Sequence, residues 1–455
     1  VYANTLYRAA PAFYANPQWA ELADWDKELA PHYDTAERML GVQQVPRGSK
    51  GQDFLKLVGR HFGVEETFTR TPCGVFFGAE GETVPDPYFG GDGPDRTGCT
   101  FCGECMQGCR IGAKNTLMKN YLWFAEKRGA RIHPERQVVD VRPIGAADGS
   151  NGYQVVAERP GAWFRKRRQV FRARGVVFAA GALGTNTLLA RCKLNGSLPR
   201  VSDRLGELVR TNSESILAVT LPRGTEKIWN DVMISSSIHP RPDTHIEFNT
   251  FGRSADSMSF LYTLLTGKGT RVTRPLKWLG QVLRHPVKFF KATWPFGWSE
   301  HSVIFLVMQT LDNAIAFRPR RGWFGRVSLR TEQDPDKPNP TFIEVANEAA
   351  EVLARETGGV AQSGMLEALA NIPTTAHILG GAVIAETPDE GVVDEGSRVF
   401  GYRNLMICDG STMPANPGVN PSLTITAMSE RAMSLVPEKL GAASTGRREH
   451  QPASA

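Results

Sequence analysis

The sequence predicts an α/β fold with an α+β elaboration, on three observations. The run Gly175-Val176-Val177-Phe178-Ala179-Ala180-Gly181 is a short apolar strand ending in glycine where a helical stretch begins, the way an α/β sheet presents backbone to a ligand. A second such strand, Leu405-Met406-Ile407-Cys408-Asp409, precedes a Pro/Asn/Gly loop and a helical pattern over residues 422–436. Between them, residues 211–330 read as mixed strand and loop. A length of 455 residues accommodates two or three domains at roughly 100–200 residues each. The 41% hydrophobic and 22% charged residues exclude a collagen-like, mucin-like or mainly disordered chain, and a net charge of +6 does not by itself argue for nucleic acid as a partner.

In chain order, Trp19, Leu22, Trp25, Leu29, Tyr33, Ala36 and Leu40 recur at three- and four-residue spacing and predict helices within residues 17–42. Residues 70–98 are dense in Gly, Pro and Asp and read as a long loop. Residues 115–128 read as a helix. Val138, Val139 and Val141 mark a strand over 136–142, and the turn signal Asp148-Gly149-Ser150-Asn151-Gly152 leads into a second over 153–158, together a β-meander. Helical patterns return at 344–355 and 363–370, and the small, polar residues from Gly441 predict a disordered tail at 441–455. No internal repeat is found.

Four of the seven cysteines crowd into Gly98-Cys99-Thr100-Phe101-Cys102-Gly103-Glu104-Cys105-Met106-Gln107-Gly108-Cys109. A C-x2-C-x2-C-x3-C run lets thiolates converge on one centre and has the spacing of bacterial ferredoxin-type iron-sulfur ligands. Zinc fits less well, since structural zinc sites separate two ligand pairs by a longer stretch. Three readings stand: an iron-sulfur cluster on Cys99, Cys102, Cys105 and Cys109, another metal, or reduced structural thiols in a crowded loop. All three indicate a reducing compartment and hence the cytoplasm. Cys73, Cys192 and Cys408 are isolated and read as core or incidental residues. No apolar run is long enough for a spanning helix. The chain starts at Val1 with no signal-peptide pattern, and a start in mid-protein carries no information on targeting.

The other candidate chemistry lies near the C-terminus. His377 precedes the pair Gly380-Gly381, and Asn420 sits in Pro417-Gly418-Val419-Asn420-Pro421 ahead of a helix. A neutral imidazole accepts a hydroxyl proton while an amide holds the oxygen, which suits removal of hydride from an alcohol carbon. The competing reading of His377 is a satisfied structural residue in a glycine-rich loop.

The segment Gly401-Tyr402-Arg403-Asn404-Leu405-Met406-Ile407-Cys408-Asp409-Gly410-Ser411-Thr412-Met413-Pro414, followed by Gly418-Val419-Asn420-Pro421 and Ala427-Met428-Ser429-Glu430-Arg431-Ala432, resembles the C-terminal signature of the glucose-methanol-choline (GMC) flavin oxidoreductases. Within that family it is most similar to the bacterial cholesterol oxidase branch. The resemblance takes in Ala179-Ala180-Gly181, the cysteine loop running into Gly112-Ala113-Lys114-Asn115, and Asn4, and so covers nearly the whole chain. It implies a GMC-type fold: an FAD-binding portion over 1–210, a substrate-binding portion with an antiparallel sheet over 211–375, and a return to the FAD portion over 376–440. His377 and Asn420 correspond to the family's active-site pair. Asp409 and Gly410 match positions that contact the ribityl-pyrophosphate part of FAD, Gly181 the close approach of the second FAD-contacting strand, Val138 the strand near the adenine, and Asn4 the asparagine after the glycine-rich flavin-contact loop. The branch commonly has Pro after the histidine, where this chain has Ile378.

The family opens with a βαβ unit bearing G-x-G-x-x-G, and no such motif occurs in these residues. The expectation is a chain without that segment, binding FAD poorly on its own. Cys99, Cys105 and Cys109 resemble in spacing the ligands of a three-iron cluster in bacterial GMC dehydrogenase subunits, with Cys102 an extra thiol; such a cluster implies electron export and a dehydrogenase. Asp243-Thr244-His245-Ile246-Glu247-Phe248 resembles the strand whose glutamate shifts the steroid double bond, making Glu247 a candidate; the competing reading is a solvent-facing residue of an alternating strand.

Within 257–299, Lys268, Arg271, Arg274, Lys277, Arg284, Lys288 and Lys291 alternate with Leu276, Trp278, Leu279, Val282, Leu283, Phe289, Phe290 and Trp294, and no acidic residue occurs before Glu300. The stretch suits peripheral contact with an anionic membrane, or a helical cover over the active site. The leading expectation is FAD-dependent oxidation of a sterol or similar small-molecule alcohol, with oxygen or a redox protein as electron acceptor. A sugar or long-chain-alcohol dehydrogenase, and a non-catalytic iron-sulfur or binding protein, are the alternatives.

Overall fold

The computed structural model describes residues 3–322 and 326–437, so the expected polar tail lies outside the described residues. Near the N-terminus α1 (Trp25–Leu40) buries Trp25, Leu29, Tyr33, Ala36 and Leu40, the face its spacing dictates. α2 (Lys50–Phe62) begins where the Ser49 side chain accepts from the Gln52 N–H. The expected loop follows, broken only by two-residue strands such as Thr83–Val84 and Arg96–Thr97. The helix expected over 115–128 is shorter, Tyr121–Lys127, behind a 3₁₀ turn at Leu117–Lys119.

β1 (Gln137–Pro143), β2 (Tyr153–Glu158) and β3 (Gln169–Ala173) form an antiparallel meander one strand longer than the sequence reading. β4 (Val176–Phe178) then runs into α3 (Gly181–Leu194). The middle of the chain supplies β5 (Ser215–Thr220), β6 (Ile234–Arg241), β7 (Thr244–Thr250), β8 (Tyr262–Leu264), the helices α4 (Thr273–Arg284) and α5 (Pro286–Thr293), and β9 (Ser302–Gln309). It is completed by α6 (Glu344–Thr357), β10 (Val360–Gly364) and α7 (Met365–Ala370). Ser363 and Gly364, expected at a helix start, instead pair with Thr263 and Tyr262 as the end of β10.

These strands and the short strand Thr69–Arg70 make a seven-stranded antiparallel sheet, in the order β8, β10, β5, β9, β7, β6, Thr69–Arg70. One face packs on α2 and α6 through Leu55, Val58, Leu217, Ile246, Phe248, Phe305, Ala346 and Leu353. Every residue of β7 is buried, so its alternate residues His245, Glu247 and Asn249 lie in the interior on the opposite face. That opposite face carries the site.

β11 (Leu405–Ile407) pairs in parallel with β4, Leu405 against Val176 and Ile407 against Phe178. α8 (Ser422–Ser434) packs on α1, and the Tyr33 hydroxyl donates to Thr424 Oγ1 at 2.9 Å. One core thus unites Leu6, Phe13 and Trp19 with Leu405, Ile407, Leu423 and Ala427 from the far end of the chain.

Candidate active site

His377 is held by a strand pairing two residues beyond it. Leu379–Gly380 pairs antiparallel with Val209–Arg210, which brings residues 212–214 alongside 376–377. The pairing needs Gly380: its φ is +71°, and a Cβ there would sit 2.2 Å from the Leu208 carbonyl oxygen. Thr375 Oγ1 accepts from the His377 N–H at 3.0 Å and donates to the His377 carbonyl at 2.8 Å, fixing the local turn.

The imidazole Nδ1 contacts the carboxylate of Glu214, whose other oxygen accepts from the Ala376 N–H. Glu214 is buried, with no side-chain exposure. Burial alone pulls the imidazole pKa down, but the Glu214 charge and hydrogen bond outweigh it, helped by Glu247, and the net pKa is raised. Asn212 Nδ2 lies 3.2 Å from the same ring nitrogen and donates to the Val419 carbonyl at 2.9 Å, tying the histidine loop to that of Asn420.

Asn420 donates from Nδ2 to Glu247 Oε2 at 3.2 Å, while its Oδ1 is buried without a hydrogen-bond partner. Glu247 is fully buried, and its Oε1 is 3.4 Å from His245 Nε2. Burial removes the solvent-facing reading of Glu247. The structure therefore gathers His377, Asn420 and Glu247 from segments some 40 to 170 positions apart into one interior polar cluster. Sequence reasoning missed Glu214. Its only signal is a lone charge in the polar run Thr211-Asn212-Ser213-Glu214-Ser215 ahead of an apolar strand.

The residues matched to flavin contacts lie elsewhere on the parallel strand pair and its surroundings. Asp409 Oδ2 accepts from the Gly181 N–H at 3.0 Å and from Thr185 Oγ1 at 2.5 Å, and Oδ1 accepts from the Ser411 N–H at 2.8 Å. Its carboxylate thus joins the end of β11 to the start of α3. Gly181 has φ +71° and nothing within 4 Å of where a Cβ would stand, so open space lies over the strand end. A Cβ on Gly410 would press on Leu379 and Ile425 at 3.1 Å, placing that glycine against the core. Val138 packs at the edge of the first core. Asn4 is buried and uses both ends of its amide on Ile234: Nδ2 donates to the carbonyl at 2.7 Å and Oδ1 accepts from the N–H at 3.1 Å.

The cysteine loop departs from the metal expectation. Cys99, Cys102, Cys105 and Cys109 line one small cavity with Val75, Ala113 and Lys114, yet no group of three or more ligands among the described residues is disposed to hold a metal ion. Backbone N–H groups of Phe101 and Lys114 donate to the sulfurs of Cys99 and Cys109, both at 3.4 Å. Burial pushes the Cys99 and Cys105 thiols up to about 12. The iron-sulfur assignment of these four residues is not supported.

A parallel strand pair and a large antiparallel sheet make up the architecture, and the buried polar cluster of His377, Asn420 and Glu247 the site. An FAD-dependent oxidoreductase from Chaetomium thermophilum shares the fold, with a TM-score of 0.54 at 13% identity, covering 94% of this chain and 83% of that one. Family models described as GMC oxidoreductase match residues 93–207 and 325–429. A cholesterol oxidase of Acinetobacter baumannii is 46% identical over 446 residues, 96% of this chain and 80% of that protein. One of Mycobacterium tuberculosis is 46% identical over 450 residues, 96% and 77% respectively. The chain belongs to the GMC oxidoreductase family, and is an FAD-dependent enzyme acting on CH–OH donors. Of the contacts such a cofactor and donor need, the residues present offer open space over Gly181 beside the β4 end, and unpartnered buried acceptors at Asn212 Oδ1, beside His377, and at Asn420 Oδ1.

Proposed function

We propose that the enzyme oxidises the hydroxyl of a hydrophobic secondary alcohol, a 3-hydroxysteroid such as cholesterol, to the ketone with dioxygen as acceptor. The observation that carries this reading is 46% identity along 96% of the chain to two cholesterol oxidases. FAD, when bound, supplies the acceptor for the hydride leaving the carbinol carbon. His377 takes the hydroxyl proton at Nε2, the nitrogen left free by the contact of Nδ1 with Glu214. Asn420, steadied by its bond to Glu247, holds the hydroxyl oxygen. We assign Glu247 the proton shift that moves a steroid double bond into conjugation with the new carbonyl.

In the FAD-loaded protein, His377→Asn or Asn420→Leu keeps the flavin and lowers turnover by roughly 10²- to 10⁴-fold, the range of lost acid-base help. Near wild-type turnover in both variants overturns the site. A substrate panel tests the substrate: faster turnover of sugars or long-chain primary alcohols than of sterols replaces the sterol by one of those classes.

A second reading concerns where a water-insoluble substrate is met, and the outward face of α4 favours it. Leu276, Leu279 and Leu283, one helical face, are exposed, continued by Val287, Phe290, Trp294 and Phe296 and rimmed by Lys277, Arg284, Lys288 and Lys291. An apolar face rimmed by cations suits an anionic lipid surface. No helix among the described residues is long and apolar enough to cross a membrane. Residues 371–376 run from α7, which packs on α4, directly to His377.

A further inference from the structure

Glu247 can take a proton from a steroid only as a carboxylate and must shed any proton it retains before the next turnover, yet both carboxylates near His377 are sealed from water: the Glu214 and Glu247 side chains have no exposure. Glu214 is engaged by His377 and the Ala376 N–H. Glu247 is different, because a file of imidazoles leads away from it. His245, buried, lies on the same strand with Nε2 3.4 Å from Glu247 Oε1, and its Nδ1 is 2.8 Å from Nε2 of His239, which is solvent-exposed near the end of β6. The hairpin explains the alignment. His245 and Glu247 are two apart and share a face of β7, and the register that pairs Ser237 with Glu247 and Ile238 with Ile246 brings His239 to that same face opposite His245, just before the pairing turns irregular.

We infer that His245 and His239 form a proton relay between the buried Glu247 and bulk water. This rests on the reading that Glu247 belongs to the active site. A proton leaving Glu247 Oε1 is taken up at His245 Nε2 as Nδ1 gives its own proton to His239 Nε2, and His239 Nδ1 releases one to water. Each ring gains one proton and loses one, so the charge moves outward by tautomer exchange and none accumulates on a buried imidazole. The reverse passage delivers a proton inward.

The other titratable group against His245 is Tyr7, whose ring meets the imidazole edge-on at 5.1 Å. Its hydroxyl lies 2.9 Å from Ser237 Oγ, and burial with the Glu247 charge raises its pKa, so it stays protonated and outside the file. Partial burial and the neighbouring His245 hold His239 near 4, a neutral ring at neutral pH as tautomer exchange needs.

The test uses the FAD-loaded protein with sterol as substrate. His239→Ala, at an exposed position, lowers kcat by roughly tenfold with KM and flavin content unchanged, raises the solvent deuterium isotope effect, and is restored by free imidazole in the buffer. A purely structural role would not be rescued. His245→Gln gives the same loss without rescue. Wild-type turnover and isotope effect in His239→Ala, with Glu247→Gln impaired, overturn the relay and leave the site standing. Wild-type turnover in Glu247→Gln overturns the reading on which the relay rests.

Discussion

Glu214 sets the working range of His377, since burial alone would leave the ring a weaker base than ordinary imidazole. Glu214→Gln removes the charge and the net shift reverses. With His377 acting in its neutral form, the acid limb of kcat/KM against pH moves to lower pH, while the plateau falls as the ring loses its anchor; an unmoved limb counts against the pairing. The linked stability has a definite sign. A raised folded pKa contributes stability that is fully present below the ordinary value of 6.5 and is lost as pH rises through the folded value, so the urea midpoint of the wild type gains more on acidification through this window than that of Glu214→Gln. Gly380→Ala should cost about 1–3 kcal/mol, because the left-handed backbone and the Leu208 carbonyl leave no room for a methyl; a chemical denaturation series measures it. His377 and Asn420 were picked out by the resemblance of their segments to the GMC signature; the glycine- and proline-rich surroundings alone left His377 open to a structural reading. Glu214 was not legible, since its partner is 163 positions away and a strand pairing makes the encounter. The thiol spacing was legible, but spacing says only that ligands can converge, and among the described residues no group of three or more is disposed to hold a metal ion.

Among the elements, α4 is anchored inward by Arg274 and by Trp278, whose Nε1 donates to Thr263 Oγ1 at 2.7 Å, and is left apolar outward. Arg274, fully buried, donates to Glu367 Oε1 at 2.7 Å, to the Thr341 carbonyl at 2.7 Å and to Asn371 Oδ1 at 3.1 Å, joining α4 to α7 and to the segment leading to His377. Arg274→Met strands the Glu367 carboxylate and should destabilise by about 3–5 kcal/mol, whereas Arg274→Met with Glu367→Leu recovers most of it; urea unfolding of the two variants decides. On the outward side, neutralising Lys277, Arg284, Lys288 and Lys291 together should weaken binding to anionic vesicles by at most about 4 kcal/mol, less as salt is added. Turnover of a soluble short-chain alcohol should stay nearly constant. Equal losses on soluble and vesicle-borne substrates would make the helix pair a structural cover. Periodicity located α1, α6 and α8 well, and the strands β1, β2, β4 and β11, because each is written in a few consecutive residues. The order of the seven-stranded sheet was not readable: Thr69–Arg70 at its edge is two residues long, and pairing such as that of β5 with β9 is decided by packing between distant segments.

For the whole molecule, the two principal cores differ in how far along the chain their parts are drawn. Apart from its two-residue edge strand, the large sheet is built from residues 215–364. The other core closes only when α8 meets α1, as where Tyr33 reaches Thr424 across 391 positions and Arg431 pairs with Glu28 at 3.2 Å. Contacts of such sequence separation form slowly and late. During synthesis, which proceeds from the N-terminus, the sheet can close while the chain is still tethered, but Trp19, Trp25 and Leu29 stay without their C-terminal partners until residues 405–428 emerge. A nascent chain halted before Leu405 should accordingly resist protease across 215–364 and be cut readily within 1–40. Asn420, in the loop just ahead of α8, then takes its place only after residues 405–434 have emerged, so that any shorter nascent chain carries an unfinished site beside an uncovered apolar face.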